Sequence, residues 1–284
     1  MTIKRLGIVG SGIMGSGIAE VAARAGIEVT LRSRAEASGD RMQAALEKSL
    51  DRQVEKGKLD STERDAALGR VQVVTDLGEL AEADLVLESI VEDLPTKKHL
   101  FNELDRVCGE ATILATNTST LPVIEMAMDT GRPDRVCGIH FFNPAPAMPL
   151  VEVVRAVTTS DETLGTARAF AETCGKTVVN VRDQAGFIVN ALLFPYLNNA
   201  VKLLDAGVAT RDDIDAAMKG GCNFPMGPLE LLDLVGLDTS LAILEALYAE
   251  FHDPNYAPAP LLRRMVSAER LGRKTRLGFY DYHR

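Results

Sequence analysis

His140 stands at the end of an apolar run, Val136-Cys137-Gly138-Ile139-His140, and is followed by Phe141-Phe142-Asn143-Pro144. Imidazole titrates near neutrality and is costly to bury unpaired, so a histidine in this setting calls for a partner. Glu152, twelve positions on, lies in the next short apolar run, Leu150-Val151-Glu152-Val153-Val154. If the proline-rich segment Asn143–Pro149 turns the chain back between two strands, Glu152 arrives beside His140. A carboxylate there would fix the imidazole tautomer and stabilise the imidazolium, which makes the histidine a general base. The same residues also suit a core histidine with a satisfied hydrogen bond and an unrelated surface glutamate.

A second group of residues could hold phosphate. Gly10-Ser11-Gly12-Ile13-Met14-Gly15 is a G-x-G-x-x-G that follows one strand-like run and opens a helix-like one. The first glycine allows the tight turn, the second lets the backbone approach a pyrophosphate, and the third packs helix on strand. The phosphate then sits at the helix N-terminus, which predicts a dinucleotide site. An acidic residue normally follows about twenty positions later and binds the adenine-ribose hydroxyls. Here Ser33 stands at that place, flanked by Arg32 and Arg34. A missing carboxylate with guanidinium nearby suits a 2′-phosphate, although both arginines also read as ordinary surface cations. At this level NAD and NADP both remain open.

These groups need a scaffold that brings strand ends together. Runs at 6–9, 29–31, 71–74, 85–87, 113–115, 136–139, 151–154 and 177–181 have the β-branched, apolar character of strands. Helical patterns alternate with them, beginning with 13–25, and this alternation predicts an α/β, Rossmann-like, doubly wound and mainly parallel sheet. Residues 35–56 read as a long charged helix stopped by Gly57, and 60–68 as a shorter one, together a long helical insertion. From Ala185 onward the strand patterns end. An apolar helix is expected over 186–206, kinked at Pro195, then helices over 210–218, 229–251 and 260–271. The expected organisation is therefore a dinucleotide-binding domain over 1–183 and an all-α substrate and dimerisation domain over 184–284.

The 284 residues are 46 % hydrophobic and 25 % charged, the balance of a globular protein. A net charge of −9 argues against broad nucleic-acid binding, for which a basic face would be expected. Cys108, Cys137, Cys174 and Cys222 are scattered, without a CxxC pair or histidine at ligand spacing, so no metal site is expected. They read as thiols of a reducing compartment. With no secretory leader and no apolar run long enough to span a bilayer, a cytoplasmic protein without membrane contact is expected.

With these pieces in hand, the sequence resembles the 3-hydroxyacyl-CoA dehydrogenase family, in particular its short bacterial 3-hydroxybutyryl-CoA dehydrogenase type. The likeness is carried by the glycine loop, Val86–Glu92, Thr116-Asn117-Thr118-Ser119, Ile139–Pro144, Asp183–Asn190, Phe224–Pro228 and Gly278-Phe279-Tyr280. It covers nearly the whole chain. It implies that His140 is the catalytic base, Glu152 its orienting partner, and Ser119 and Asn190 the residues that hold the reacting oxygens. It further implies cofactor contacts at Glu92, Lys97, Ser119, Asn143 and Lys274, and substrate contacts on the CoA side at Ser49, Lys56 and Ser119. The expected reaction is reversible oxidation of (S)-3-hydroxybutyryl-CoA to acetoacetyl-CoA by a homodimer that uses NAD as the family default. A dehydrogenase of free hydroxy acids or sugar acids on the same architecture is the alternative.

The chain also departs from the family pattern. Ala191 follows Asn190 where arginine is usual, so hydrogen bonding behind the site is expected to be lost or replaced. Lys274-Thr275-Arg276 stands where Lys-Thr-Gly is usual, and an arginine does not take a positive φ cheaply. The loop carrying Lys274 is therefore expected to differ.

Overall fold

The computed structural model describes residues 1–283. It resolves into two compact units, Met1–Asp183 and Gln184–Arg284. In the first, eight strands form one sheet: β1 (Arg5–Val9), β2 (Glu28–Arg32), β3 (Val71–Val74), β4 (Leu85–Glu88), β5 (Ile113–Thr116), β6 (Val136–Phe141), β7 (Leu150–Arg155) and β8 (Thr177–Arg182). Their order is β3-β2-β1-β4-β5-β6-β7-β8. All neighbours pair in parallel except β6 and β7, which are antiparallel. Strands β4, β5 and β6 are buried at every residue. That is why they read as unbroken apolar runs rather than alternating ones.

Five of the seven strand connections carry the α-helices of this unit. α1 (Ile13–Arg24) joins β1 to β2, α2 (Glu36–Glu55) and α3 (Ser61–Gly69) join β2 to β3, and α4 (Leu94–Val107) joins β4 to β5. α5 (Val123–Ala127) precedes β6, and α6 (Asp161–Thr173) joins β7 to β8. The charged helix α2 buries only Gly39, Met42, Leu46 and Leu50, a stripe at helical spacing, and leaves most of its other residues in solvent. α3 starts at a capping box in which Asp60 accepts from the Glu63 amide and Glu63 from the Asp60 amide. One core runs through Ile8, Leu31, Leu46, Leu87, Ile139, Phe141 and Val153.

The second unit is helical: α7 (Val189–Asp205), α8 (Arg211–Cys222), α9 (Pro228–Val235), α10 (Leu237–Phe251) and α11 (Pro260–Ser267). Its core includes Phe194, Leu197, Leu229, Leu232, Leu244, Leu247 and Leu262. Thr210 caps α8 by accepting from the Asp213 amide. Two expectations need correcting here. The single helix expected over 229–251 is broken at Gly236, whose φ of 103° no helix accommodates and which only glycine adopts readily. The last helix stops at Ser267, four residues short of the expected end, and Glu269 then turns through a positive φ. No helix among the described residues is long and apolar enough to cross a membrane.

Candidate active site

In an open parallel sheet, ligands bind outside the carboxyl ends of the strands where the strand order reverses. That place lies between β1 and β4, and the residues singled out in the first unit converge on the same sheet edge. Gly10 follows β1 with φ 122°, its amide bonded to Arg32 O at 3.0 Å. A Cβ on Gly10 would meet Ser89 O at 2.2 Å, and one on Gly15 would meet Gly10 O at 1.9 Å. Glycine is required at both places for the loop to lie against the sheet. Gly12 differs, because a Cβ there would meet nothing within 4 Å. Its bare backbone opens α1, which has no side-chain cap and no acidic residue in its first turn. Uncapped amides at the positive end of a helix fit a dinucleotide pyrophosphate. Ser11 and Met14 are half-buried, and Ile13 is exposed beside them.

His140 and Glu152 are directly opposite in the antiparallel β6–β7 ladder. Nδ1 of His140 lies 2.7 Å from Oε2 of Glu152, with His140 6 % exposed and Glu152 fully buried. The hairpin places the pair because twelve positions of separation, with the turn between, put both side chains on one face. A carboxylate on Nδ1 holds that nitrogen as the N–H and leaves Nε2 as the basic atom. The His140 ring also packs on Phe142, centroid to centroid 4.5 Å. Asn143 follows at the start of the proline-rich turn and is joined to Pro144 by a cis peptide bond.

Next to β6, the ends of β4 and β5 carry a buried ionic network. Glu88 accepts from Lys97 Nζ at 2.6 Å, from Thr116 Oγ1 at 2.7 Å and from the Ile90 amide at 2.7 Å. Lys97, on α4, is 1 % exposed and also reaches Glu92 at 3.1 Å. Glu92 in turn accepts from the Ser119 amide at 2.9 Å and from the Thr118 hydroxyl. Burial alone would raise the Glu92 carboxyl. The Lys97 charge and the bonds from Thr118, Ser119 and Lys97 outweigh it and hold Glu92 below the usual glutamate range. Thr118 also accepts from the Leu121 amide at 3.0 Å and so caps the turn before Pro122. Asn117 closes the circuit: its side-chain oxygen accepts from the Phe141 amide at 2.8 Å, one residue from His140.

Glu92, Lys97 and Ser119 thus lie in one network, which sequence reasoning had treated as separate contacts. Glu88, Thr116 and Lys176 were missed. A glutamate closing the apolar strand Leu85-Val86-Leu87-Glu88 was the available signal, since such a residue must find a cation. Lys176 donates to Ala145 O at 2.6 Å and Met148 O at 2.8 Å, so it clamps the turn between His140 and Glu152. Ser33 is fully buried and bonded to Ser11, Ser38 and Ala35 O, while Arg34 is exposed.

The remaining candidates lie elsewhere. Ser49 and Lys56 sit two turns apart on α2 and its C-cap, half-buried and exposed respectively. Asn190 opens α7 in the second unit and is 8 % exposed. Lys274, also in that unit, is ion-paired with Asp238. Arg276, at the place where the family pattern has glycine, adopts φ 60°, the left-handed region that favours glycine.

Residues 5–184 match the model of the 3-hydroxyacyl-CoA dehydrogenase NAD binding domain, and residues 186–282 match that family's C-terminal domain. A 3-hydroxybutyryl-CoA dehydrogenase of Mycobacterium tuberculosis is 49 % identical over 282 residues, covering 99 % of both chains. One from Clostridioides difficile is 47 % identical over 280 residues, 99 % of this chain and all of the relative. Among solved structures, M. tuberculosis FadB2 superposes with a TM-score of 0.98 at 48 % identity, over 99 % of this chain and all of the other. The (S)-3-hydroxybutyryl-CoA dehydrogenase PaaH1 of Ralstonia eutropha gives 0.96 at 42 %, over the whole of both chains. With a glycine loop shaped for a dinucleotide and full-length likeness over both family regions, the chain belongs to the 3-hydroxyacyl-CoA dehydrogenase family, as an NAD-binding oxidoreductase.

Proposed function

We propose that the protein interconverts (S)-3-hydroxybutyryl-CoA and acetoacetyl-CoA with His140 as the acid–base group. The observation that carries this reading is the 2.7 Å contact between His140 and Glu152 inside the antiparallel ladder. Full-length likeness to 3-hydroxybutyryl-CoA dehydrogenases supports the choice of substrate. NAD, when bound, supplies the hydride acceptor in oxidation and the donor in reduction.

In the oxidative direction His140 Nε2 takes the hydroxyl proton at C3 as the carbonyl forms. Glu152 stabilises the imidazolium that results, and its bond to Nδ1 keeps the ring in the productive tautomer. In reduction the imidazolium returns that proton to the oxygen. Ser119 hydrogen-bonds the reacting oxygen, and Asn190 holds the thioester end. Glu92 and Lys97 fix the loop that carries Ser119, and Asn143 is assigned a contact that would help hold the cofactor.

Ser49 and Lys56 are assigned to the CoA moiety on α2, Lys56 through its exposed ammonium. Lys274 is assigned a cofactor contact in the second unit. A spectrophotometric comparison of acetoacetyl-CoA with free acetoacetate tests the substrate directly. Rapid reduction of the thioester with negligible turnover of the acid is expected. Equal turnover of the two would instead favour a free hydroxy-acid dehydrogenase.

The second unit is proposed to form a homodimer, since Leu192, Leu203, Phe224 and Leu234 are between 42 % and 72 % exposed there. Sedimentation equilibrium at micromolar concentration should give twice the 30.6 kDa chain mass, whereas a monomer would contradict it. A cytoplasmic setting is proposed from the four free thiols, two of them buried.

A further inference from the structure

We propose that the adenosine end of the cofactor site prefers a 2′-phosphorylated nicotinamide dinucleotide, NADP(H), and that Ser33 and Arg34 set this preference. The inference deepens the dehydrogenase reading above and rests on it for the chemistry of the ligand. The position is decisive. Ser33 directly follows β2, its amide bonds Val74 O at 2.8 Å, and its hydroxyl lies 2.9 Å from that of Ser11 in the glycine loop. This is the strand end whose carboxylate, in NAD-selective sites of this architecture, accepts the ribose hydroxyls. Such a carboxylate does two jobs there: it binds the 2′-hydroxyl, and its charge repels a 2′-phosphate.

Both functions are missing in this chain. In place of a carboxylate stands a neutral cluster of three hydroxyls, Ser11, Ser33 and Ser38, with Ser33 and Ser38 2.5 Å apart. Ser33 is fully buried, and Ala35 O accepts from it at 3.0 Å and from Ser38 at 2.8 Å. The donor hydrogens of Ser33 and Ser38 are spent on Ala35 O, so what the cluster offers an anion is the absence of a negative charge to oppose it. Arg32 and Arg34 flank it. Arg32 is half-buried and anchored through Nε to Thr75 O at 3.0 Å. Arg34 is exposed, and neither arginine has an ion-pair partner among the described residues. The nearest acid along the chain is Glu36, exposed on the first turn of α2. Two guanidinium groups without an ion-pair partner among the described residues thus stand at this strand end, in a chain whose net charge is −9. Guanidinium binds phosphate in a fork, a geometry that a ribose hydroxyl cannot use.

Calorimetric titration with adenosine 2′,5′-bisphosphate and with AMP measures this end of the site alone, without turnover. The bisphosphate should bind roughly tenfold tighter or better, as expected for a guanidinium–phosphate contact. Equal or tighter binding of AMP overturns the proposal. Ser33→Asp should reverse the order of the two ligands, and Arg34→Gln should weaken the bisphosphate more than AMP. If the wild-type preference is found but neither variant moves it, these residues are not its source and the assignment fails. In parallel, kcat/KM with acetoacetyl-CoA should be higher for NADPH than for NADH. Tight bisphosphate binding in a protein that turns over acetoacetyl-CoA with neither coenzyme would contradict the dehydrogenase reading while leaving the phosphate site standing. Turnover favouring NADH, with AMP the tighter ligand, would do the reverse.

Discussion

Lys97 is an ammonium buried between two carboxylates, and its value lies in what it holds. Removing one partner from such a pair leaves a buried charge uncompensated, so the network is all-or-none in character. Glu92 is its outermost member, with 39 % of its side chain exposed. Because its folded-state pKa is lowered, Glu92 contributes stability above the ordinary glutamate range that is lost as pH falls through the lower folded value. Glu92→Gln should therefore melt below the wild type at pH 7, and the gap should close on going below about pH 4. Thermal melts of the two proteins across that interval would check it. This network also marks a boundary of what single residues disclose. His140 and Glu152 were legible because both interrupt apolar runs at strand spacing. Glu88 interrupts one as well, yet its cation sits nine residues on in a helix, and no periodicity announces that pairing. Ser33 was legible as a missing carboxylate, but its three hydroxyl and carbonyl contacts depend on where α2 begins.

At the scale of elements, the β6–β7 hairpin is the device that turns spacing into the His140–Glu152 contact, and its turn is held from outside. Lys176, just before β8, donates to two carbonyls of that turn, and burial lowers the pKa of its ammonium. On the other side the turn lies against α1, where a Cβ on Gly17 would meet Ala145 Cβ at 3.2 Å. The turn thus links α1, the helix that follows the glycine loop, to the strand pair. Lys176→Met should cost about 1–3 kcal/mol in urea unfolding, the range for hydrogen bonds to charged groups. It should also raise KM for the dinucleotide more than it lowers kcat, because Asn143 lies in that turn, and Lys176→Arg should restore part of both. A loss of stability with unchanged KM would confine Lys176 to a structural role. The strands themselves were readable almost residue for residue, since buried parallel strands are short apolar runs. The break at Gly236 was not, because the apolar pattern of α9 and α10 continues across it and only the backbone angle reveals the corner.

Across the whole molecule, two units hold different residues: the sheet unit holds the glycine loop, the ionic network and the His140–Glu152 pair, while the helical unit carries Asn190 and exposed apolar side chains. In the sequence the strand patterns stop near Asp183, and the first compact unit runs from Met1 to Asp183. Motifs in the second unit have structural work of their own. Buried Asp215 accepts from the Leu229 and Glu230 amides at the start of α9, and buried Asp233 accepts from the Phe279 and Tyr280 amides. Phe224–Pro228 and Gly278–Tyr280 are therefore fixed by these two carboxylates, which the sequence pattern alone did not connect. The central claim remains the proton transfer by His140 with Glu152 behind it. Its most direct test is acetoacetyl-CoA reduction by His140→Ala and Glu152→Gln, with coenzyme binding measured on the same preparations. Loss of kcat by about 10²–10⁴ in each, with coenzyme affinity retained, is the predicted result. Undiminished reduction by either protein would contradict the account.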